Sequence, residues 1–147
     1  MFLEHKMCIK MLAKSVNFTT LLLNRKDHEA ELEVIQDMAD RIQAIKRSVS
    51  IRANGEGLGI AFGFSRKAWD YLFPNAPVPK ELEDFQGIKG DKQDVPAVAA
   101  DLFLHVRSND ESVTYTVVDQ IMEFLRPITS VVDETHGFHY EQRSCDY

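Results

Sequence analysis

A change of period at Asp27 constrains this chain more than any single residue does. Before it, Val16-Asn17-Phe18-Thr19-Thr20-Leu21-Leu22-Leu23 is short and rich in β-formers. Two-residue alternation puts Phe18 and Leu22 on one side, Leu21 and Leu23 on the other. Asn24-Arg25-Lys26-Asp27 closes the segment. After it, Leu32, Ile35, Met38, Ile42, Ile45 and Val49 recur three or four residues apart, with Glu29, Glu31, Glu33, Asp37 and Asp40 between them. That spacing predicts a strand followed by a long amphipathic helix. Asp27 is its expected N-cap, and the acids sit where the helix dipole favours them.

The pattern then repeats. Ala53-Asn54-Gly55-Glu56-Gly57 predicts a turn, and Leu58 to Phe64 a second strand, with Ile60, Phe62 and Phe64 facing one way and Ala61 and Gly63 the other. Ser65 to Phe73 predicts a short helix carrying Trp69 and Leu72, stopped by Pro74. From Pro74 to Ala100 the chain holds Pro74, Pro77, Pro79, Pro96, Gly87, Gly90 and mixed charge. A connection this long in a small domain is functional or mobile. Asp101 to Arg107 predicts the third strand. Ser108 with Glu111 reads as a capping box opening a helix through Val113, Val117, Val118, Ile121, Phe124 and Leu125, which Pro127 ends. Ile128 to Tyr140 predicts a long fourth strand kinked at Gly137.

This order predicts an α+β fold, a ferredoxin-like sandwich of four antiparallel strands with helices on one face, of the dimeric α/β-barrel type. Residues 1–15 read as an N-terminal extension and 16–147 as one domain containing the long loop 74–100. Helices cover only one face of such a sheet. Yet the third strand sets Leu102, Leu104 and Val106 against Phe103 and His105, so both faces carry apolar groups. The uncovered face is therefore expected to pack on a second domain or a second copy of the chain.

The 147 residues suffice for one core. A net charge of −6 with no basic block argues against nucleic acid. Cys8 and Cys145 have no metal-type spacing; nothing in the sequence supports a disulfide between them over two buried or free thiols in a reducing cytosol, which is the reading taken. Lys6, Lys10 and Lys14 interrupt the apolar runs that a secretory signal needs. No stretch reaches the ~20 apolar residues of a membrane helix. The expected location is the cytoplasm.

Candidate sites read mostly as structure. His136 and His139, three apart on a strand, face opposite ways, which is poor metal geometry. His105 reads as a hydrogen-bonded histidine beneath a covering domain. Gly55, Gly57 and Gly59 precede a strand, whereas a dinucleotide fingerprint follows one, so they read as turn chemistry. Lys80, Asp84, Lys89, Asp91, Lys92 and Asp94 read as a solvated face, and Trp69 as core. No Ser-His-Asp set and no H-E-x-x-H motif is present. No residue is assigned a catalytic, cofactor-binding or metal role.

Several stretches resemble the dye-decolourising (Dyp-type) haem peroxidases. Gly59 to Phe64 followed by Trp69 and Leu72 is similar to the family's second strand and short helix. Leu82-Glu83-Asp84-Phe85-Gln86-Gly87 resembles the loop after it. Val95-Pro96-Ala97 leading into Asp101 to Arg107 resembles the third strand and its approach. Gly137-Phe138 within Glu134 to Tyr140 resembles the fourth strand, and Arg143 the arginine preceding the catalytic loop. The resemblance runs from about Val16 to Arg143. It implies two ferredoxin-like halves with packed sheets and haem b in the second half. It also implies reduction of hydrogen peroxide with oxidation of dyes or phenols. The family's catalytic Asp, assisting Arg and iron-ligating His are expected beyond Tyr147. Ser144-Cys145-Asp146-Tyr147 departs from the family's continuation, and Asp146 lacks the flanking glycines of the catalytic Asp. The chain is therefore expected to be an N-terminal, truncated half that binds no haem alone and has no activity alone. Its partner would be the missing haem-binding half, or a second copy in a homo-oligomer. The alternative expectation is a stand-alone dimeric α/β-barrel protein that binds a small ligand or haem between its sheets.

Overall fold

The computed structural model describes residues 13–53 and 57–139. Cys8, Cys145, Gly55, Arg143 and Asp146 lie outside the described residues, as does most of the N-terminal extension. The elements are β1 (Ser15–Leu23), α1 (His28–Ala53), β2 (Gly59–Phe64), α2 (Arg66–Leu72), β3 (Ile88–Lys89), β4 (Asp94–Val95), β5 (Leu102–Ser108), α3 (Glu111–Leu125) and β6 (Thr129–Phe138). Four strands form one antiparallel sheet in the order β2-β5-β1-β6. The two halves of the chain thus interleave, each supplying one central and one edge strand. This is the ferredoxin-like fold.

The core lies between the sheet and the helices. Leu21 and Leu23 of β1 and Leu102, Leu104 and Val106 of β5 point inward and are buried. They meet Ile35, Met38 and Val49 of α1 and Val113, Val117, Ile121 and Leu125 of α3. The long helix turns its predicted stripe inward, with Ile35, Met38 and Val49 buried and Leu32, Ile42 and Ile45 partly buried against the core. Each such aliphatic side chain contributes roughly 1.5–3 kcal/mol relative to an exposed one.

Local chemistry sets the element ends. Asp27 Oδ1 accepts from the Ala30 N–H at 3.2 Å, as an N-cap should. Ser65 caps α2 by accepting from the Ala68 N–H at 3.1 Å. The expected capping box of Ser108 and Glu111 does not form. Asp110 is the cap of α3, and its Oδ1 accepts from the Ser112 N–H at 2.8 Å. The Ser112 hydroxyl, which donates to the same oxygen at 2.7 Å, and then the Ser112 N–H hold the Asp110 carboxyl below its usual pKa. Ser108 instead ends β5, with its hydroxyl 2.7 Å from that of Thr114.

Two features of the sheet differ from expectation. The irregularity of β6 lies not at Gly137 but opposite the Thr20/Leu21 step, where Thr20 pairs with Asp133, Leu21 pairs with Val131, and Val132 is left over as a bulge. Gly137 stays in register because it makes room: a Cβ there would lie 2.8 Å from Val16 Cγ1. In the long loop, β3 and β4 pair as a two-residue ladder, too short for periodicity to reveal.

Candidate functional site: the open sheet face and a cleft on the helix side

The register defines the face that the helices leave bare. Phe18 of β1 lies beside His105 of β5, and Ala61 of β2 lies on the far side of His105. Val16, Phe18, Thr20 and Leu22 share that face with Phe103, His105 and Arg107. Phe18 is 37% and Phe103 40% exposed. Their rings stack at 6.1 Å, and the His105 ring lies 4.6 Å from that of Phe18. Burial first, and the nearby Arg107 charge second, hold the His105 pKa below its usual value. Over β2 the face is shallow, because Gly59, Ala61 and Gly63 carry little or no side chain. The Arg107 side chain lies across Gly59, with Nε 2.7 Å from where a Cβ would stand. A bare apolar centre of aromatic rings is what the strand alternation predicted.

The second concave feature lies on the opposite side of the sheet, between α3 and the edge strand β6. It is a cleft of about 280 Å³ whose lining includes Ser15, Asn17, Thr19, Tyr115, Glu134 and His136. Asn17 Nδ2 donates to Glu134 Oε1 at 3.1 Å, and Thr19 Oγ1 donates to Asn17 Oδ1 at 2.7 Å. His136 Nε2 lies 2.9 Å from the same Glu134 oxygen. Sequence reasoning treated His136 with His139. The structure separates them: His136 sits opposite Asn17, whereas His139 follows the strand and its backbone N–H donates to the Lys14 carbonyl at 3.0 Å. The missed pair is Glu134 and His136, whose two-residue spacing on a strand was the available signal.

Other singled-out residues take structural places. Trp69 packs in an aromatic cluster with Phe64 and Phe73, at 6.1 and 5.0 Å. Lys80, Lys89, Asp91, Lys92 and Asp94 are exposed, and Asp84 is half-buried. Among the described residues no group of three or more His, Cys, Asp or Glu is arranged to hold a metal ion, and no helix is long and apolar enough to cross a membrane.

The structure defines a ferredoxin-like sheet with one face covered by its own helices and the other bare and aromatic at its centre. Comparison with known proteins gives the family. The profile described as Dyp-type peroxidase, N-terminal, matches residues 6–139. This chain belongs to the Dyp-type peroxidase family and corresponds to its N-terminal region. A dye-decolorizing peroxidase of Rhodococcus erythropolis is 34% identical over 112 residues, spanning 76% of this chain and 33% of the relative. One from Brevibacterium linens is 33% identical over 120 residues, spanning 82% and 32%. Among solved structures, a dye-decolorizing peroxidase from Bacteroides thetaiotaomicron superposes with a TM-score of 0.81 at 29% identity, covering 88% of this chain and 41% of that one. A Rhodococcus jostii variant solved in complex with heme shares the fold, with a TM-score of 0.80 at 22% identity. The chain thus spans about a third of the curated relatives named here and about two fifths of those solved chains.

The described residues do not fit an iron porphyrin. A recess of about 860 Å³ beside the long loop has no His, Cys, Tyr or Met in its lining. The His105 ring lies stacked on Phe18, His136 is engaged by Glu134, and His28 packs edge-on against Tyr71 at 5.2 Å. None of these imidazoles stands over a cavity that would take the macrocycle.

Proposed function

We propose that this chain is the scaffold half of a haem peroxidase. In the whole protein a second half binds haem b, which supplies the redox chemistry that reduces hydrogen peroxide while dyes or phenolic reductants are oxidised. The residues described here build and present a sheet. The Phe18–His105–Phe103 cluster is the surface on which the second half rests, and it is the observation that carries this reading. Apolar rings left in water favour association once a complementary surface is offered. None of the described residues serves as the peroxide acid–base group or the iron ligand, so the chain alone does not turn over peroxide. The assembled protein works in the cytoplasm as a homo-oligomer and engages neither nucleic acid nor membrane.

Haemin added to the purified chain tests this reading. The expected result is no Soret band beyond that of free haemin and no peroxide-dependent dye bleaching. Joining the chain to the second half of the Rhodococcus erythropolis relative is expected to give both. Robust bleaching by the chain alone would overturn the proposal.

A further inference from the structure

The long connection between α2 and β5 carries an apolar surface that the core does not use. Phe85, Ile88, Val95 and Val98 are 54–68% exposed. They are grouped, not scattered. Ile88 pairs with Val95 across the β3–β4 ladder, so these side chains stand together on one face. Lys89 pairs with Asp94 and, by alternation, takes the opposite face. Phe85 and Val98 lie three residues outside the Ile88–Val95 pair, one on each arm. Gly87 keeps the arms close: its φ is 81°, and a Cβ there would lie 2.9 Å from the Val95 carbonyl oxygen. A two-stranded ribbon by itself is marginal in water. This one turns apolar side chains outward, so they gain little until another surface covers them.

The position of the ribbon points to its occupant. Phe85 and Val98 line the recess of about 860 Å³ together with Leu22. Leu22 shares the bare face of β1 with Phe18 and Thr20. The apolar surface of the loop therefore continues the face on which the second half is proposed to rest. It does so at one end of the sheet, where the Asp101 N–H closes the loop by donating to the Leu21 carbonyl at 2.8 Å. The chain leaves at the other end, where Phe138 pairs with Ser15 and the His139 N–H donates to the Lys14 carbonyl. The 9 residues of β1 separate the two ends by about 25 Å. A second half tethered beyond His139 is thus fixed at one end only, and the ribbon stands at the end that the tether leaves free. We propose that the ribbon is a clasp for the second half of the same protein. Phe85, Ile88, Val95 and Val98 pack on an uncharged, apolar surface of that half, while Lys89 and Asp94 stay in water. The clasp rests on the scaffold reading above and adds to it a second contact area, outside the Phe18–His105–Phe103 cluster.

Hydroxyl-radical footprinting tests the clasp on the haem-loaded protein made by joining this chain to the second half of the Rhodococcus erythropolis relative. The chain alone is the reference, and both are kept at a dilution where they are monomeric. Labelling of Phe85, Ile88 and Val95 is expected to fall several-fold on joining. If Phe18 and Phe103 become protected while those three stay labelled, the clasp is overturned and the scaffold reading stands. If neither group is protected, both fall. Loop protection that appears only as the chain is concentrated assigns the ribbon to a second copy and overturns the clasp. Titration of the unjoined second half onto the 147-residue chain gives an independent measure. Ile88→Ser with Val95→Ser should weaken that binding about tenfold, whereas Lys89→Ser with Asp94→Ser, on the other face, should leave it within about twofold. All four positions are exposed, so far-UV circular dichroism should match that of the parent. Equal weakening by both pairs, or by neither, overturns the clasp.

Discussion

Arg25 and Asp101 form an ion pair at 2.7 Å that ties the turn after β1 to the start of β5. Asp101 is nearly fully buried, and its second carboxylate oxygen accepts from the Leu23 N–H at 2.9 Å. Its backbone N–H donates to Leu21, and its carbonyl accepts from Ser65 at 2.8 Å. Arg25 holds a left-handed backbone, φ 53°, which is unfavourable for a residue with a Cβ. The pair and the stacking of its guanidinium 4.9 Å above the Tyr71 ring compensate.

Asp101→Ala is therefore expected to be among the most damaging single changes away from the apolar core. It strips a buried N–H of its acceptor and a strained arginine of its partner. A loss of about 2–4 kcal/mol is expected, read as a lower urea midpoint at unchanged slope. A midpoint within error of the parent would contradict this role.

The sequence displayed the elements of this fold but little of that joint. Strand alternation and the three-to-four-residue spacing from Leu32 to Val49 are local signals, and the structure follows them. The α3 cap was misread because Ser108 and Asp110 both suit a cap, and only the strand end decides which is free to serve. The Val132 bulge depends on a partner strand far away in sequence. The cleft was invisible for the same reason: Asn17 and Glu134 are 117 residues apart. The bare aromatic face was legible, because alternation along a strand assigns faces without tertiary knowledge.

Tyr71 donates to Glu31 Oε2 at 2.7 Å. That bond, then burial, then the Glu31 charge push its pKa up to about 12, against a smaller opposing effect of Arg25. The unfolded chain loses this phenol proton near 10, before the folded one does. Stability is thus fully present below pH 10 and falls as pH rises through the interval to about 12. Alkaline absorbance titration should show one late tyrosine that Tyr71→Phe removes, together with part of the alkaline loss of stability. A Tyr71→Phe protein that keeps the late step would refute the assignment.

His105 titrates in the opposite sense. Its folded pKa is depressed, so the unfolded chain takes up the proton first as pH falls. Stability present above about 6.5 should decline as pH drops through the folded pKa. His105→Phe should flatten the dependence of Tm on pH below about 6.5. An unchanged slope would show that His105 is not responsible.

Phe18→Ser with Phe103→Ser should make the isolated chain less sticky. Both rings are already partly exposed, so the change costs little packing. Gel filtration should show more monomer, and a hydrophobic dye should bind less. Leu104→Ala, by contrast, leaves a cavity in the core and should cost about 2–5 kcal/mol in urea unfolding. If the serine pair destabilised the chain as much as Leu104→Ala, the bare face would be part of the core.

The central claim is that the Phe18–His105–Phe103 face is a surface made to be covered. Hydroxyl-radical footprinting of the chain, alone and joined to the second half of the Rhodococcus erythropolis relative, tests it most directly. At a dilution that keeps the chain monomeric, the account predicts strong labelling of Phe18 and Phe103 in the chain alone and protection of both once joined, with Ile51 of α1, 78% exposed, labelled equally in both. Equal labelling of Phe18 and Phe103 in the two forms would contradict it.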